Sequence, residues 1–400
     1  MDQNSSSLQQ YQNQSAQQTN TGLITDEIVL LEQKISAATL PSALRDKLNG
    51  MILRLKKMSV TEGYSKEFEP VSEYINWVTQ IPFGKVTVDE LSLDKAKEEL
   101  NKNHYGLQPV KDRLLEYLAV LKLQSQKMSP EQLQFANIDP NIRMDFQKDM
   151  LDLKGNSSNA PVLCFVGIQG VGKTSMAKSM ASALNRKFVR IALGAMGSVT
   201  ELRGRSRGEL DAEPGQIVKS LIRTESMNPV ILLDEIDKVS SNTGLRADIM
   251  AALLEILDPE QNSTFMDKYL DYPLNLSKCI FITTANNLGG ISAALLDRME
   301  VIRFGSYNDN DKIQIAKNYL LPKVRKATGI GEDQLTFADD VWPLVIRPLG
   351  FDAGVRQLER TLMDLARKVA LQIVKGEVNS VSINKDNFRQ YIPEQIGVLS

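Results

Sequence analysis

An apolar strand that runs directly into a glycine-rich loop constrains this chain more than any other feature. Residues 162–175 read Val-Leu-Cys-Phe-Val-Gly-Ile-Gln-Gly-Val-Gly-Lys-Thr-Ser, and a helical pattern follows over Ser175–Leu184. Glycines let backbone N–H groups turn inward around phosphate oxygens, and the N-terminus of the following helix adds a favourable dipole. The sequence therefore predicts a nucleoside triphosphate site at this loop.

The residue types of the loop suggest a role for its side chains. Lys173 can reach the β- and γ-phosphates, and the hydroxyl of Thr174 can ligate Mg²⁺. We expect a nucleoside triphosphate and Mg²⁺ as ligands. The predicted nucleotide contacts in the loop are Gly167, Gly170, Val171, Gly172, Lys173, Thr174 and Ser175.

Two adjacent acids end a second apolar strand, Val230-Ile231-Leu232-Leu233-Asp234-Glu235. Carboxylates at the end of a buried strand are costly unless they are used. In phosphoryl transfer one acid holds the metal ion and another orients the attacking water. We assign Asp234, with Thr174, to the metal and Glu235 to the water. The alternative is a solvated acidic turn that Asp237 and Lys238 continue.

The bulk composition excludes several classes of protein. The 400 residues are 42% hydrophobic and carry a net charge of −2, with the basic residues dispersed. Nothing in this balance favours nucleic acid as a partner. No apolar run reaches membrane-spanning length, and the N-terminus lacks the pattern of a signal peptide. With one histidine and two cysteines a zinc site is not expected, and we expect a cytoplasmic protein.

The chain divides into five predicted segments. Residues 1–22 are a disordered polar tail rich in Gln, Asn, Ser and Thr, and residues 23–123 form a helical N-terminal stem. Residues 124–160 form an irregular insertion, because they are polar and contain Pro130 and Pro140. Residues 161–306 are the nucleotide-binding domain, and residues 307–400 are a small helical lid domain.

The fold class predicted for the nucleotide-binding domain is α/β. Short apolar strands alternate with helical segments there, which indicates a parallel sheet sandwiched by helices. The predicted strands are 162–166, 188–193, 230–234, 279–284 and 300–304.

These motifs together resemble the ATPase region of the Lon protease family, within the AAA+ superfamily. The resemblance runs from about residue 25 to about residue 392 and is interrupted by 124–160. Besides the loop and the acidic strand it is carried by His104–Leu107, Leu257–Asn262, Tyr269–Asp271, Ala285-Asn286, Leu296–Glu300 and Gly354–Arg356. It implies an AAA+ P-loop domain with a helical lid, ATP as the bound nucleotide, and an ATPase activity.

The resemblance also implies roles for four further residues. Asn286 matches the first sensor of the family, Arg298 its arginine finger, and Arg356 its second sensor. Tyr105 matches the segment that borders the adenine. Without the resemblance, Asn286 would be a turn residue, Arg298 part of a surface ion pair, and Arg356 a charge at a helix end; Tyr105 would pack the start of a helix.

Because an arginine finger acts on a neighbouring subunit, the resemblance implies a homo-oligomeric ring, most simply a hexamer. It implies protein substrates, and it allows a peptidase on a separate chain as a further partner. A nucleic acid is not an expected partner, because nearby acids balance the arginines at 203, 205 and 207. A membrane is not an expected partner either, because no apolar run is long enough to span one.

The sequence departs from the family pattern at three places. Ile168-Gln169 stand where the family has two prolines, and Glu209 stands where the substrate-gripping loop has an aromatic residue, with Leu210 as its aliphatic neighbour. No serine-lysine peptidase motif and no N-terminal globular domain are found in this sequence. We therefore expect no cleavage of peptide bonds by this chain alone.

Three interpretations follow from these observations. The first is a Lon-type ATPase that remodels or unfolds proteins as the motor of an ATP-dependent proteolytic system. The second is a truncated piece of a complete ATP-dependent serine protease. The third is a scaffold that binds nucleotide but turns it over poorly, which the altered loop favours.

Overall fold

The computed structural model describes most of the chain in five ranges: residues 26–62, 67–126, 161–239, 242–346 and 354–392. The predicted polar tail, 1–22, lies outside them. The predicted insertion, 124–160, also lies outside them except at its start, where a helix continues to Gln126. Among the described residues no helix is long and apolar enough to cross a membrane.

A five-stranded parallel sheet forms the centre of the fold, with the strand order β2-β3-β6-β1-β7. Each strand lies within one residue of its predicted bounds, and the α/β fold class is confirmed. The strands are β1 Val162–Val166, β2 Phe188–Ala192, β3 Val230–Asp234, β6 Ile280–Ala285 and β7 Met299–Arg303; β4 and β5 form a separate hairpin, Phe265–Asp267 and Tyr272–Leu274.

The sheet brings the predicted site residues to one edge. Every residue of β1, β3 and β6 is buried, as expected for strands covered on both faces. Because these strands are parallel, their carboxyl ends lie side by side, and ligands of open α/β sheets bind at this edge. The phosphate loop follows β1, Asp234 ends β3, and Asn286 follows β6.

Helices cover both faces of the sheet and form the lid. Before the sheet lie α1 (residues 26–37), α2 Ser42–Glu62, α3 Phe68–Gln80, α4 Leu93–Asn103 and α5 Gln108–Gln126. Within the α/β part lie α6 Lys173–Ala183, α7 Val199–Arg203, α8 Gln216–Thr224, α9 Thr243–Leu257 and α10 Ala293–Leu296. In the lid lie α11 Asp309–Ile315, α12 Leu321–Thr328, α13 Trp342–Ile346, α14 Arg356–Val374 and α15 Phe388–Tyr391.

The helices of the predicted stem belong to the same hydrophobic cores as the sheet. Helices α1 to α3 contribute to a core that also holds Cys164 and Ile231, which face one side of the sheet. Helices α4 and α5 contribute to a second core with Leu163 and Leu232, which face the other side. The range 23–123 is thus largely helical where it is described and packs on the sheet; its boundaries as a domain stay a prediction.

The lid has a third core, built around Trp342 and the apolar face of α14. It contains one element that the sequence did not predict, a parallel pair of short strands, β8 Leu335–Phe337 and β9 Val381–Ile383. Three-residue strands are too short to produce a readable alternation of apolar and polar residues. The hairpin β4–β5 escaped prediction for the same reason.

Candidate active site

A cavity of about 660 Å³ lies between the carboxyl edge of the sheet and the lid. It brings together most of the residues predicted from sequence. Those that line it are Tyr105, Gly170, Gly172, Lys173, Thr174, Ser175, Asp234, Glu235, Asn286 and Arg356. Gly167, Val171 and Arg298 are not among its lining residues.

The phosphate loop needs its glycines for conformation and for space. Gly170 and Gly172 have φ values of +82° and +94°, in the left-handed region that favours glycine. At Gly167 a Cβ atom would lie only 2.7 Å from the carbonyl oxygen of Phe304. Val171, fully buried, is held by its carbonyl oxygen, which accepts a 3.0 Å hydrogen bond from the hydroxyl of Tyr307.

Lys173 connects the phosphate loop to the end of β6. Its ammonium group donates to the carbonyl oxygens of Gly167 and, at 3.0 Å, Ile168, and to Oδ1 of Asn286 at 3.0 Å. Burial lowers the pKa of Lys173, and the carboxylates of Asp234 and Asp237 act in the opposite direction. The cation therefore lies in the cavity with the predicted sensor amide as a direct neighbour.

The hydroxyl of Thr284 contacts both residues of the acid pair at the end of β3, Asp234 through its side chain and Glu235 through its backbone. Oγ1 of Thr284 donates to Oδ1 of Asp234 and accepts a 2.9 Å hydrogen bond from the backbone N–H of Glu235. Glu235 has φ +59° and ψ +49°, a left-handed conformation that costs a non-glycine residue on the order of 1 kcal/mol. Its carboxylate accepts a 2.8 Å hydrogen bond from Lys238 and lines the cavity. Thr284 thus holds the side chain of Asp234 and stabilises the backbone turn at Glu235.

Asp237 fixes the backbone at the predicted first sensor. Its Oδ2 atom accepts hydrogen bonds from the backbone N–H groups of Asn286 at 3.1 Å and Asn287 at 3.4 Å. The turn after β6 is therefore attached to the segment that follows the acid pair. In the alternative interpretation of the acid pair Asp237 only continues a solvated turn, whereas in the structure its carboxylate has two backbone partners.

The lid contacts the phosphate loop directly. The backbone N–H of Val355 donates a 3.1 Å hydrogen bond to the carbonyl oxygen of Gly170. Arg356 begins α14, and its backbone nitrogen lies 3.2 Å from where a Cβ atom on Gly170 would stand. The approach is closer still at Gly354, where a Cβ atom would lie 2.5 Å from the carbonyl oxygen of Gln169.

His104 and Tyr105, which follow helix α4, also line the cavity. The His104 ring is buried, and its Nε2 atom lies 2.9 Å from Oγ of Ser179 on α6. The backbone carbonyl oxygen of His104 accepts a 2.7 Å hydrogen bond from the ammonium group of Lys111. Burial, reinforced by the Lys111 charge, lowers the pKa of His104 to about 4. Tyr105 lines the cavity and packs partly against the core of the lid.

Arg298 lies away from the cavity of its own chain. Its Nε and one terminal nitrogen each lie 3.1 Å from Oδ2 of Asp258, and the other terminal nitrogen donates to the carbonyl oxygen of Ala294 at 2.9 Å. The side chain is 37% exposed. Within one chain this guanidinium does not reach the phosphate loop.

The loop with the unusual Glu209-Leu210 pair projects into solvent. Leu210 is 86% exposed, and both Glu209 and Asp211 are exposed beside it. The base of the loop is anchored, since the backbone N–H of Gly215 donates to Oδ2 of Asp267 at 2.8 Å. The tip of the loop that the resemblance assigns to substrate contact is therefore acidic and carries one exposed aliphatic side chain, Leu210.

Sequence reasoning missed several side chains that line the cavity, among them Arg190, Thr284 and Tyr307. Thr284 lies near the end of β6, two residues before Asn286, and this position at the strand end is a signal from which it could have been predicted. Arg190 lies on β2, and only the strand order reveals that β2 is the neighbour of β3. For Tyr307, after β7, no sequence signal was available.

The oxygen ligands at the cavity suit Mg²⁺ bound together with a nucleotide. Among the described residues no group of three or more His, Cys, Asp or Glu side chains could hold a metal ion alone. Mg²⁺ commonly takes one or two protein oxygens and completes its shell with phosphates and water. Thr174 and Asp234, which line the same cavity, supply such a pair.

A phosphate loop after the first strand of a parallel sheet, an acid pair at a neighbouring strand end and a helical lid define the class of P-loop ATPases. The sequence model of the ATPase family associated with various cellular activities (AAA) matches residues 163–307. The model of the Lon protease AAA+ ATPase lid domain matches residues 326–381. The chain thus contains an AAA domain followed by a Lon lid domain and corresponds to the ATPase region of the Lon protease family.

Relatives of known name agree with this assignment. The chain is 42% identical over 359 residues to a Lon protease of Dictyoglomus thermophilum, covering 90% of this chain and 41% of that protein. It is 40% identical over 359 residues to a Lon protease of Halothermothrix orenii, with the same coverage. The matching part of Lon protease 2 of Herpetosiphon aurantiacus is 39% identical and covers 88% of this chain and 39% of the relative. The chain spans about two fifths of the length of these relatives.

Proposed function

We propose that this chain hydrolyses ATP and uses the energy to remodel or unfold protein substrates, as the motor of an ATP-dependent proteolytic system. The observation that carries the proposal is the convergence of Lys173, Glu235, Asn286 and Arg356 on one cavity beside the phosphate loop. A cation, an acid, an amide and a lid arginine together are what phosphoryl transfer requires of a protein.

Binding of the triphosphate rests on the loop and on two oxygen ligands. Backbone N–H groups of the loop surround the phosphates, and Lys173 exchanges its contacts with carbonyl oxygens for phosphate oxygens. Thr174 and Asp234 would hold Mg²⁺. When bound, the ion neutralises charge on the phosphate oxygens.

The attacking water is oriented by Glu235 and Asn286. The carboxylate of Glu235 accepts a hydrogen bond from the water and directs its lone pair at the γ-phosphorus. Asn286 already faces Lys173 at 3.0 Å, so its amide lies where the γ-phosphate arrives. Arg356, on the lid, would bind the same phosphate and connect lid position with the state of the nucleotide.

Arg298 is proposed to act on the site of a neighbouring copy. It carries a cation at the surface, it is 37% exposed, and it does not reach its own cavity. A guanidinium that enters from a neighbour can stabilise charge that develops in the transition state. The proposal therefore includes a ring of identical chains.

Two other functions stay open beside this one. The chain covers about two fifths of relatives that are named Lon protease, so it is also proposed as the motor part of a longer protease of that kind. The acidic tip at Glu209 favours, as a second candidate, a nucleotide-binding scaffold with slow turnover. The motor and the scaffold differ in whether ATP hydrolysis responds to an unfolded protein.

The deciding experiment measures ATP hydrolysis against protein concentration, with and without an unfolded protein. A motor that works as a ring predicts a specific activity that rises with concentration and rises again with the substrate. A rate that stays near zero at all concentrations, with nucleotide bound, would support the scaffold. Absence of nucleotide binding would overturn both.

A further inference from the structure

Arg190 is a charged side chain of the cavity to which the sequence patterns give no role. It lies on β2, next to β3, and its Nε atom donates a 2.6 Å hydrogen bond to Oδ2 of Asp234. The Asp234 side chain is 7% exposed, whereas that of Arg190 is 51% exposed. The guanidinium thus meets a buried carboxylate from the open side of the cavity.

The carboxylate of Asp234 is engaged at both oxygens within the chain. Oδ1 accepts from the hydroxyl of Thr284, and Oδ2 accepts from Arg190. A neutral hydroxyl can remain beside a carboxylate that binds a cation. A guanidinium carries a positive charge at the oxygen that the cation needs, so the two cations exclude each other electrostatically.

The contacts of Arg190 differ from those of a structural ion pair in the same fold. Arg186 makes 2.7 Å contacts with both oxygens of Asp89 and also donates to the carbonyl oxygens of Asn228 and Lys278. Its side chain is 9% exposed. Among the described residues the guanidinium of Arg190 bonds to Asp234 alone. Arg190 can therefore separate from Asp234 without breaking any other hydrogen bond described for its guanidinium.

We propose that Arg190 is a positioning residue that competes with Mg²⁺ for Asp234 and so sets how strongly nucleotide binding depends on the ion. The inference rests on the proposed Mg²⁺-dependent binding of ATP. In the absence of Mg²⁺, Arg190 neutralises a buried carboxylate that would otherwise repel the phosphates. In its presence the ion pair opens, and the half-exposed guanidinium turns away from Asp234.

The test measures binding of a fluorescent ADP derivative, so that it does not depend on turnover. The dissociation constant is determined for the full chain in EDTA and in MgCl₂, and the ratio of the two values is the readout. Arg190→Gln should raise this ratio at least about fivefold, because Asp234 then repels the nucleotide without Mg²⁺ and binds the ion without a competitor. Arg223→Gln, a matched loss of charge at an exposed position on α8 outside the cavity, should leave the ratio unchanged.

A double variant tests whether Arg190 acts through Asp234. In an Asp234→Asn background, Arg190→Gln should no longer change the ratio, because the charge that it neutralises is absent. If Arg190→Gln does not fold, Arg190→Lys keeps the charge but loses the Nε donor and should raise the ratio by a smaller factor.

The outcomes separate the inference from the function on which it rests. A folded Arg190→Gln or Arg190→Lys with the wild-type ratio overturns the inference, and so does an effect that persists in the Asp234→Asn background. A wild-type chain that binds no nucleotide in MgCl₂ overturns the proposed function itself.

Discussion

The backbone N–H of Val355 lies 3.1 Å from the carbonyl oxygen of Gly170 and donates a hydrogen bond to it. This bond joins the first residues of the lid helix α14 to the middle of the phosphate loop. The bond couples the backbone of the lid directly to the backbone of the phosphate loop. The glycines at both sides of the contact make this approach possible.

Replacing Gly354 by alanine should weaken nucleotide binding. The added Cβ atom would lie 2.5 Å from the carbonyl oxygen of Gln169, so the lid and the loop must separate. We expect the dissociation constant for ATP to rise about tenfold or more, measured by fluorescence titration. Gly50→Ala is the matched control, because nothing lies within 4 Å of that position on α2; it should leave binding unchanged. Equal affinity of Gly354→Ala and wild type would contradict the role of this contact.

Replacing Glu235 by glutamine should stop turnover and leave ATP bound. The amide keeps the shape of the side chain but cannot accept the proton of the attacking water as well as a carboxylate does. We expect kcat to fall about 100-fold or more, with an ATP dissociation constant within about twofold of wild type. Glu332→Gln, on the exposed surface of the lid, is the control. Phosphate release at the wild-type rate from Glu235→Gln would exclude the assigned role.

Mixing two inactive variants should restore activity if Arg298 acts on a neighbouring subunit. Arg298→Ala keeps an intact phosphate loop, and Lys173→Ala keeps an intact arginine. A mixed ring contains interfaces at which the loop of one variant meets the arginine of the other, so hydrolysis should reappear in the mixture alone. The steady-state rate of phosphate release measures it. Mixed rings that form but stay inactive would show that the arginine does not act in this way.

Changing the exposed loop should alter the response to an unfolded protein without altering basal hydrolysis. Leu210 is 86% exposed and has no packing role in its own chain, so Leu210→Ser should fold normally. We expect the stimulation of ATP hydrolysis by an unfolded protein to fall at least about twofold, since the apolar contact is lost. Glu209→Tyr should increase the stimulation. Glu209→Gln removes the charge without adding an aromatic side chain, so it separates the effect of the charge from that of the aromatic group. Unchanged stimulation in all three variants would exclude this loop as the contact.

Acid should destabilise the chain through His104, its only histidine. The pKa of His104 is about 4 in the folded state, below its ordinary value of 6.5, so the unfolded state binds more protons between these values. Stability is therefore lost as the pH falls through this window. We expect wild type to lose about 1–2 kcal/mol more than His104→Gln between pH 6.5 and pH 5, measured by urea unfolding. Parallel losses in both proteins would contradict the prediction.

The central sheet could be predicted from the sequence because its strands are continuous apolar runs, as at Val162–Val166 and Val230–Asp234. The phosphate loop could be predicted because its chemistry is local. The pairing of Arg190 with Asp234 could not, since it depends on β2 lying next to β3. The pairing of Arg298 with Asp258 could not be predicted either, since the two residues lie 40 positions apart in the chain.

The shared cores have a consequence for any attempt to isolate the ATPase by truncation. A fragment that began at residue 161 would lose Tyr74, whose hydroxyl donates to the carbonyl oxygen of Leu270, and would also lose Leu114, buried against the opposite face of the sheet. The cores on both faces of the sheet would then expose apolar side chains to water, which promotes aggregation. A truncated ATPase that keeps both layers of the core therefore has to include the helices that precede the nucleotide-binding motif.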